Sequence, residues 1–274
     1  MERMPEALRM ARLVDRLNIV DIGNLLVTID TPERDPITGI IGFQAVCQAS
    51  NIIRVEIGKL LKQGERPLVI GGCCTLLIGV FAALREQYGR VGLAFVDGHL
   101  DFYDGHSSPT GETADMELAI LTGIGPSGLI DLAGSPPLLA PKDIVVLGYR
   151  DAEQARLDGA TDPKTIFPEM TLFEVEAVWQ ISPAMLGKQV AEHFEKEPER
   201  FWLHLDLDVL DQDVLPAVDY QMPGGLDWDE VADLVRPLAQ SAGLIGVDVT
   251  IYNPTLDTNG YYAEQIVELL AEVL

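Results

Sequence analysis

A three-layer α/β/α fold with a largely parallel sheet is what this sequence predicts, and three observations carry the prediction. Short apolar runs of strand length alternate along the chain with longer segments of helical periodicity. The runs are near-continuous in apolar residues, without the alternation of apolar and polar that marks a half-exposed strand, so they read as strands covered on both faces. Chemistry-bearing residues gather just past the carboxyl ends of those runs, where a parallel sheet leaves room for ligands.

In chain order, residues 4–17 carry Leu8, Ala11, Leu13, Val14 and Leu17 at near-helical spacing and read as a helix. A short strand is expected over 18–22, and a Pro/Asp-rich connection over 30–36 opens an amphipathic helix over 42–62. Pro67-Leu68-Val69-Ile70 runs into Gly71-Gly72, a strand entering a tight turn, and a helix follows over 76–88. Then come a strand over 92–96, a polar loop over 98–113, a helix over 115–122 and a strand over 143–147. Past a less regular middle, the pattern continues with a helix over 183–195, a strand over 200–205, a helix over 228–240, a strand over 244–249 and a terminal helix over 261–274. No repeat, low-complexity segment or linker composition divides the 274 residues, so one domain over 1–274 is expected.

Composition narrows the class of function. With 43 acidic against 19 basic residues, a net charge of -24 opposes nucleic-acid phosphates and anionic lipid, so neither partner is expected. No apolar run reaches the roughly 18 to 20 residues that span a bilayer. Glu2, Arg3 and Arg9 interrupt any signal-peptide core, and a cytoplasmic protein is expected. Cys47, Cys73 and Cys74 are few and odd in number, and adjacent cysteines bridge poorly, so reduced thiols are expected.

Two stretches concentrate the ionisable residues. Asp97-Gly98-His99-Leu100-Asp101 and His204-Leu205-Asp206-Leu207-Asp208 each close an apolar run, and extended backbone would turn alternate positions to one side. Carboxylates crowded at buried strand ends repel one another and lose hydration, a conflict that a divalent cation removes. Asp97, His99, Asp101, Asp206 and Asp208 are therefore candidate metal ligands, against the plainer reading of two solvated turns. Oxygen donors with one imidazole suit Mn or Mg, and a thiolate would shift the preference to Zn. Water acidified by such a metal makes hydrolysis the natural chemistry. His204 lies one step deeper and is expected to pack or support rather than ligate; His193 reads as a solvated helix residue.

These residues resemble the ureohydrolases, the group of arginase, agmatinase and formiminoglutamase. The likeness runs from Pro5-Glu6-Ala7-Leu8-Arg9 to Asn253-Pro254, and is strongest at Gly71-Gly72-x-x-Thr75, Asp97 to Asp101 and Asp206-Leu207-Asp208-Val209-Leu210-Asp211. Pro223 to Leu226 and Asp248 to Pro254 support it. The resemblance implies an arginase-like fold, a homo-oligomer (trimer or hexamer), and a binuclear manganese centre in which Asp97 and Asp206 bridge while His99, Asp101 and Asp208 complete the ligands. It implies attack of a metal-bridging hydroxide on an amidine or guanidine carbon, with Asp101 or Asp208 orienting the water. It also implies that Asp151 and Glu153, in Arg150-Asp151-x-Glu153, contact the substrate's tail, although an acidic helix start needs no ligand to explain it.

Three departures qualify that resemblance. Cys74 stands where the family has a metal-binding histidine: as a thiolate ligand it keeps two Mn, or admits Zn, and as a merely buried thiol it leaves one metal. Ala114 falls at the position of the acid/base histidine, leaving His106 or Glu112 of the same loop to substitute. Ile251 replaces the acidic residue that holds a substrate guanidinium, which weakens arginine-type recognition. The expected activity is thus agmatinase- or formiminoglutamase-like hydrolysis of a non-peptide C–N bond and not that of a typical arginase. A single-metal amide hydrolase of the same fold, and a catalytically silent relative serving as a binding or assembly subunit, are the alternatives. The strand and glycine-rich loop that usually precede the Pro-x-x-Leu-Arg segment are not in this sequence, so an edge of the sheet or part of the start is expected to be missing.

Overall fold

In the computed structural model, which describes residues 1–28 and 32–274, six strands form one parallel sheet. They are β1 (Leu68–Ile70), β2 (Gly92–Val96), β3 (Ile144–Tyr149), β4 (Thr171–Glu174), β5 (Phe201–Asp206) and β6 (Leu244–Thr250), in the order β1-β6-β5-β2-β3-β4. Every residue of β2, β3 and β5 is buried, which is why these runs lack polar alternation, whereas the edge strands β1 and β4 are short and only partly covered. Chain order runs outward from β2 through β3 to β4 in one direction and from β5 to β6 in the other, with β1 beyond β6 at the edge. The boundary between β2 and β5 is therefore a topological switch point, where crossover connections diverge and leave a crevice beyond the strand ends.

Helices cover both faces. Leu93, Phe95, Val146 and Trp202 meet α3 (Phe43–Lys62), α4 (Leu76–Tyr88) and α5 (Glu117–Leu121) on one side. Ala94, Val96, Leu203 and Leu205 meet α1 (Met4–Met10), α2 (Leu13–Leu17), α9 (Pro183–Lys196), α10 (Trp228–Ala239) and α11 (Tyr261–Val273) on the other. This is the expected three-layer arrangement. Helix α10 begins in a capping box: Glu230 N–H donates to Asp227 Oδ1 at 2.8 Å and Asp227 N–H to Glu230 Oε2 at 2.9 Å, satisfying two otherwise orphaned donors.

Several elements differ from the sequence reading. The helix expected over 4–17 is broken at Arg12, whose φ of 68° is left-handed. Leu13 follows Leu8 by five residues, about 140° off the face that buries Met4 and Leu8, and the break turns it inward. No strand forms over 18–22; the segment is exposed, with Val20 and Ile22 in solvent, because no strand edge pairs with it. Of the connection over 30–36, Asp30 and Thr31 lie outside the described residues, and Asp35 Oδ1 closes a turn by accepting from Ile37 and Thr38 N–H. The irregular middle contains α6 (Ala152–Leu157), α7 (Pro163–Ile166), strand β4 and α8 (Val175–Ile181), all too short to announce themselves by periodicity. Among the described residues, no helix is long and apolar enough to cross a membrane.

Candidate metal centre

Register places the acidic stretches together. Val96 of β2 pairs with Leu205 of β5, so Asp97 and Asp206 leave the sheet side by side at the switch point. Beyond them the backbone does not stay extended. Asp206 ends β5 and Leu207–Val209 form a 3-10 turn, with Asp208 N–H donating to Asp206 Oδ1 at 2.8 Å. Likewise His99 N–H donates to Asp97 Oδ1 at 2.7 Å, and Asp101 takes φ 44°. The donors converge through tight turns, not through the alternation of an extended strand.

One half of the cleft holds Asp97, His99 and Asp208, whose ligand atoms all lie within 4.8 Å of one another. His99 Nδ1 lies 3.1 Å from Asp208 Oδ2 and 3.7 Å from Asp97 Oδ1. Asp208 Oδ1 accepts from Gly98 N–H at 3.2 Å. Burial pushes the Asp97 carboxyl up, but the flanking His204 and His99 outweigh it and hold it at about 2. Burial also disfavours the His99 imidazolium, yet Asp208 and Asp97 lift its pKa well above the ordinary histidine value.

The other half is deeper. Cys74 Sγ donates to Asp206 Oδ2 at 2.9 Å, and Thr250 Oγ1 donates to the same oxygen at 2.8 Å. Cys74, Asp97, His204 and Asp206 form a second group, all buried, and Cys74, Asp101 and Glu117 a third. Burial first, and neighbouring carboxylates second, raise Asp206, Asp101 and Cys74 well above their ordinary values, and burial raises Glu117 too. These are the signs of a site short of positive charge.

Glu117 is fully buried, with Oε2 accepting from Met116 N–H at 3.1 Å and Oε1 unpartnered. The sequence reading missed it, although a lone carboxylate inside Met116-Glu117-Leu118-Ala119-Ile120-Leu121 is a signal. Asp248, placed by sequence at a strand end, lies inside β6 with its carboxylate turned to His204 and Trp202. It supports the cleft from below.

The remaining candidates divide. Asp151 is buried near the cleft and accepts from Leu100 N–H at 3.0 Å; burial pushes its carboxyl up to about 6. Glu153 is not brought to the cluster: it is exposed and pairs with Arg156 at 2.6 Å, one turn along α6. Arg150 spends its guanidinium on the backbone carbonyls of Asp208, Val209, Leu210, Met222 and Pro223, clamping the loop after β5. His106 stands exposed in its own turn, with its N–H bonded to Asp104. Glu112 is exposed too, but its Oε2 accepts from Tyr220 Oη at 3.1 Å, and the Tyr220 ring meets His99 edge-on at 6.4 Å. Ile251 is 3% exposed and held at φ 77°, a strained conformation for a β-branched residue.

A divalent cation fits what these residues offer. Asp97 Oδ2 and His204 Nε2 are buried with no hydrogen-bond partner, and the surrounding carboxylates can all be ionised together only with added positive charge. The arginase family model matches residues 2–274. The chain belongs to the arginase family. An arginase of Staphylococcus aureus (strain MSSA476) is 26% identical over 274 residues, covering 97% of this chain and 88% of its own length. The solved arginase of Bacillus caldovelox superposes with a TM-score of 0.86 at 25% identity, over 99% of this chain and 91% of that one. Formimidoylglutamase of Bacillus subtilis shares the fold, with a TM-score of 0.72 at 16% identity over 99% and 79% of the two chains. The ureohydrolase resemblance and the arginase-like α/β/α fold therefore hold, and the chain is an arginase-family ureohydrolase, of a family that depends on metal and acts on small molecules.

Proposed function

We propose that this chain is a manganese-dependent hydrolase of a non-peptide C–N bond in a small linear amidine or guanidine compound, with a substrate other than that of the relatives named arginase. The observation that carries the reading is the convergence of Asp97, His99, Asp101, Asp206 and Asp208 at the β2/β5 switch point, with Asp97 Oδ2 left unpartnered. Against arginine as substrate stands Ile251, buried and uncharged where a guanidinium would need a counter-charge.

Asp97, His99 and Asp208 would hold one ion, and Asp97, Asp101 and Asp206, with Cys74 beside them, the other. The bound metal supplies acidified water and polarisation of the substrate carbon. The chain's own residues do the rest. Asp101 and Asp208 orient the attacking water, and Asp208 also fixes the His99 ring. Glu112 takes the proton-transfer role left open at Ala114, because Tyr220 links it to the cleft mouth; His106 has no such link. Asp151, the inward carboxylate of its segment, binds the substrate's tail. The domain over 1–274 is read as a cytoplasmic homo-oligomer in the family's trimeric or hexameric manner, which would cover exposed residues such as Val20 and Ile22.

Elemental analysis of protein purified without chelator, then turnover screens across amidines, guanidines and amides, test this. Two ions per chain with amidine or guanidine turnover is the expected result. One ion with amide turnover would replace it by the single-metal amide hydrolase. Full metal loading without turnover would leave a silent binding or assembly subunit, a reading that Ala114 and Ile251 favour.

A further inference from the structure

We infer that His204 is the imidazole that replaces the histidine lost at Cys74, and that Cys74, His204, Asp97 and Asp206 form a four-donor position on the cleft floor selective for a borderline-soft divalent ion such as zinc. This rests on the metal-centre reading above: it keeps Asp97, Asp206 and Cys74 at the second position, puts His204 there as a ligand in place of Asp101, which is left to orient water, and gives that one position a metal other than manganese.

His204 is built to present one nitrogen. Its ring is fully buried on β5 and stacks on Phe95, centroids 4.6 Å apart and planes at 25°. Nδ1 lies 2.5 Å from Asp248 Oδ2, and Trp202 Nε1 donates to the other Asp248 oxygen. A carboxylate receiving from both rings holds a proton on Nδ1 and turns Nε2 toward the cleft, the outer support that metal-binding histidines ordinarily have; any proton on Nε2 would leave as a metal binds. Nε2 is buried and makes no hydrogen bond.

What it faces is Asp97 Oδ2, also buried and unpartnered, at 3.4 Å. Two donors each about 2.0 to 2.1 Å from a tetrahedral ion lie roughly 3.4 Å apart. The spacing that fails as a hydrogen bond suits a shared metal. Cys74 Sγ, 2.9 Å from Asp206 Oδ2, closes the group, and all four donor atoms lie within 4.8 Å of one another. Cysteine reaches less far than histidine. A position drawn toward Cys74 would be within reach of His204, two residues before Asp206 on β5. One sulfur, one nitrogen and two oxygens favour zinc or cobalt over manganese, whereas the Asp97, His99 and Asp208 half has no sulfur.

The test is cobalt substitution. The full chain, stripped with chelator and titrated with Co2+, is expected to show a near-ultraviolet thiolate-to-cobalt charge-transfer band with the strong visible absorption of four-coordinate cobalt. Cys74→Ser should remove the charge-transfer band, His204→Gln should weaken the band-forming cobalt affinity at least tenfold, and His99→Ala should leave the band in place. Unchanged affinity and spectrum in His204→Gln, or bound cobalt without the thiolate band in the unaltered chain, would overturn the inference alone. Failure of every variant and of the unaltered chain to bind metal would overturn the metal-centre reading with it.

Because His204 is buried and its replacement risks the fold, X-ray absorption on cobalt-loaded His99→Ala is the second measurement. The chain has four histidines, and His106 and His193 are exposed and belong to none of the donor groups, so imidazole scattering alongside a sulfur neighbour would be that of His204. Sulfur without imidazole would refute its ligation.

Discussion

The two halves of the cleft are held in different ways. Around Asp97, His99 and Asp208, the carboxylates are fixed by backbone N–H groups: His99 to Asp97 within one turn and Gly98 to Asp208 across the β2/β5 boundary, while Asp208 N–H reaches Asp206 of the deeper half. Gly98 is required there, since a Cβ would come within 2.5 Å of Arg150 Nη1 and 2.6 Å of the Asp208 carbonyl oxygen. Around Cys74, Asp101, Asp206, Glu117 and His204, position depends on side chains meeting across strands and helices. None of the three departures from the resemblance, Cys74, Ala114 and Ile251, falls on Asp97, His99 or Asp208. Backbone-held donors tolerate little change, because one substitution disturbs a whole turn. Packed donors can be exchanged among neighbours, as the inference for Cys74 and His204 would have it.

The contrast can be broken most directly at Asp97, which belongs to both halves. Asp97→Ala is expected to remove both ions and lower turnover by more than about 100-fold, beyond what outer partners of a metal ligand usually carry. Elemental analysis alongside kinetics checks it, and retention of one full ion would show that the halves do not share this carboxylate. Asp208→Ala should cost one ion and spare the other; unchanged metal content would count against its assignment.

Next in size is the turn itself. Gly98→Ala should destabilise the metal-free protein by about 1 to 3 kcal/mol through overpacking against Arg150 and Asp208. Urea unfolding measures this, and a neutral result would mean the turn is looser than the backbone bonds imply.

Asp151 gives a pH-dependent effect. Its folded carboxyl, raised to about 6 by burial, binds a proton more tightly than the unfolded one. The associated stability is present at low pH and lost as pH rises from roughly 4 to 6, on the order of 3 kcal/mol for this group. Unfolding of the metal-free protein across that window should therefore show a downward slope that Asp151→Asn reduces; Asn still offers an acceptor to Leu100 N–H. An identical slope in the variant would place the titration elsewhere. The smallest effect belongs to Glu153→Ala. Its pairing with Arg156 is exposed, so Tm, metal content and KM should not change. A raised KM would return Glu153 to the substrate cleft.

The sequence by itself determined the layered fold, because it is written locally, and it singled out Asp97, His99 and Asp208 as candidates, but on extended backbone that the structure replaces by tight turns. Apolar runs of strand length mark β2, β3, β5 and β6, and Asp97-Gly98-His99 carries its own turn chemistry in three consecutive residues. Brief edge strand β4 and the break at Arg12 escaped, since neither leaves a periodic trace. Only the tertiary structure decided the packed half. Cys74 and Asp206 are 132 residues apart, and His204 and Asp248 are 44 apart. Which side chains meet there is set by the register of parallel strands joined through long crossovers, and a one-residue slip would turn each of them to the opposite face.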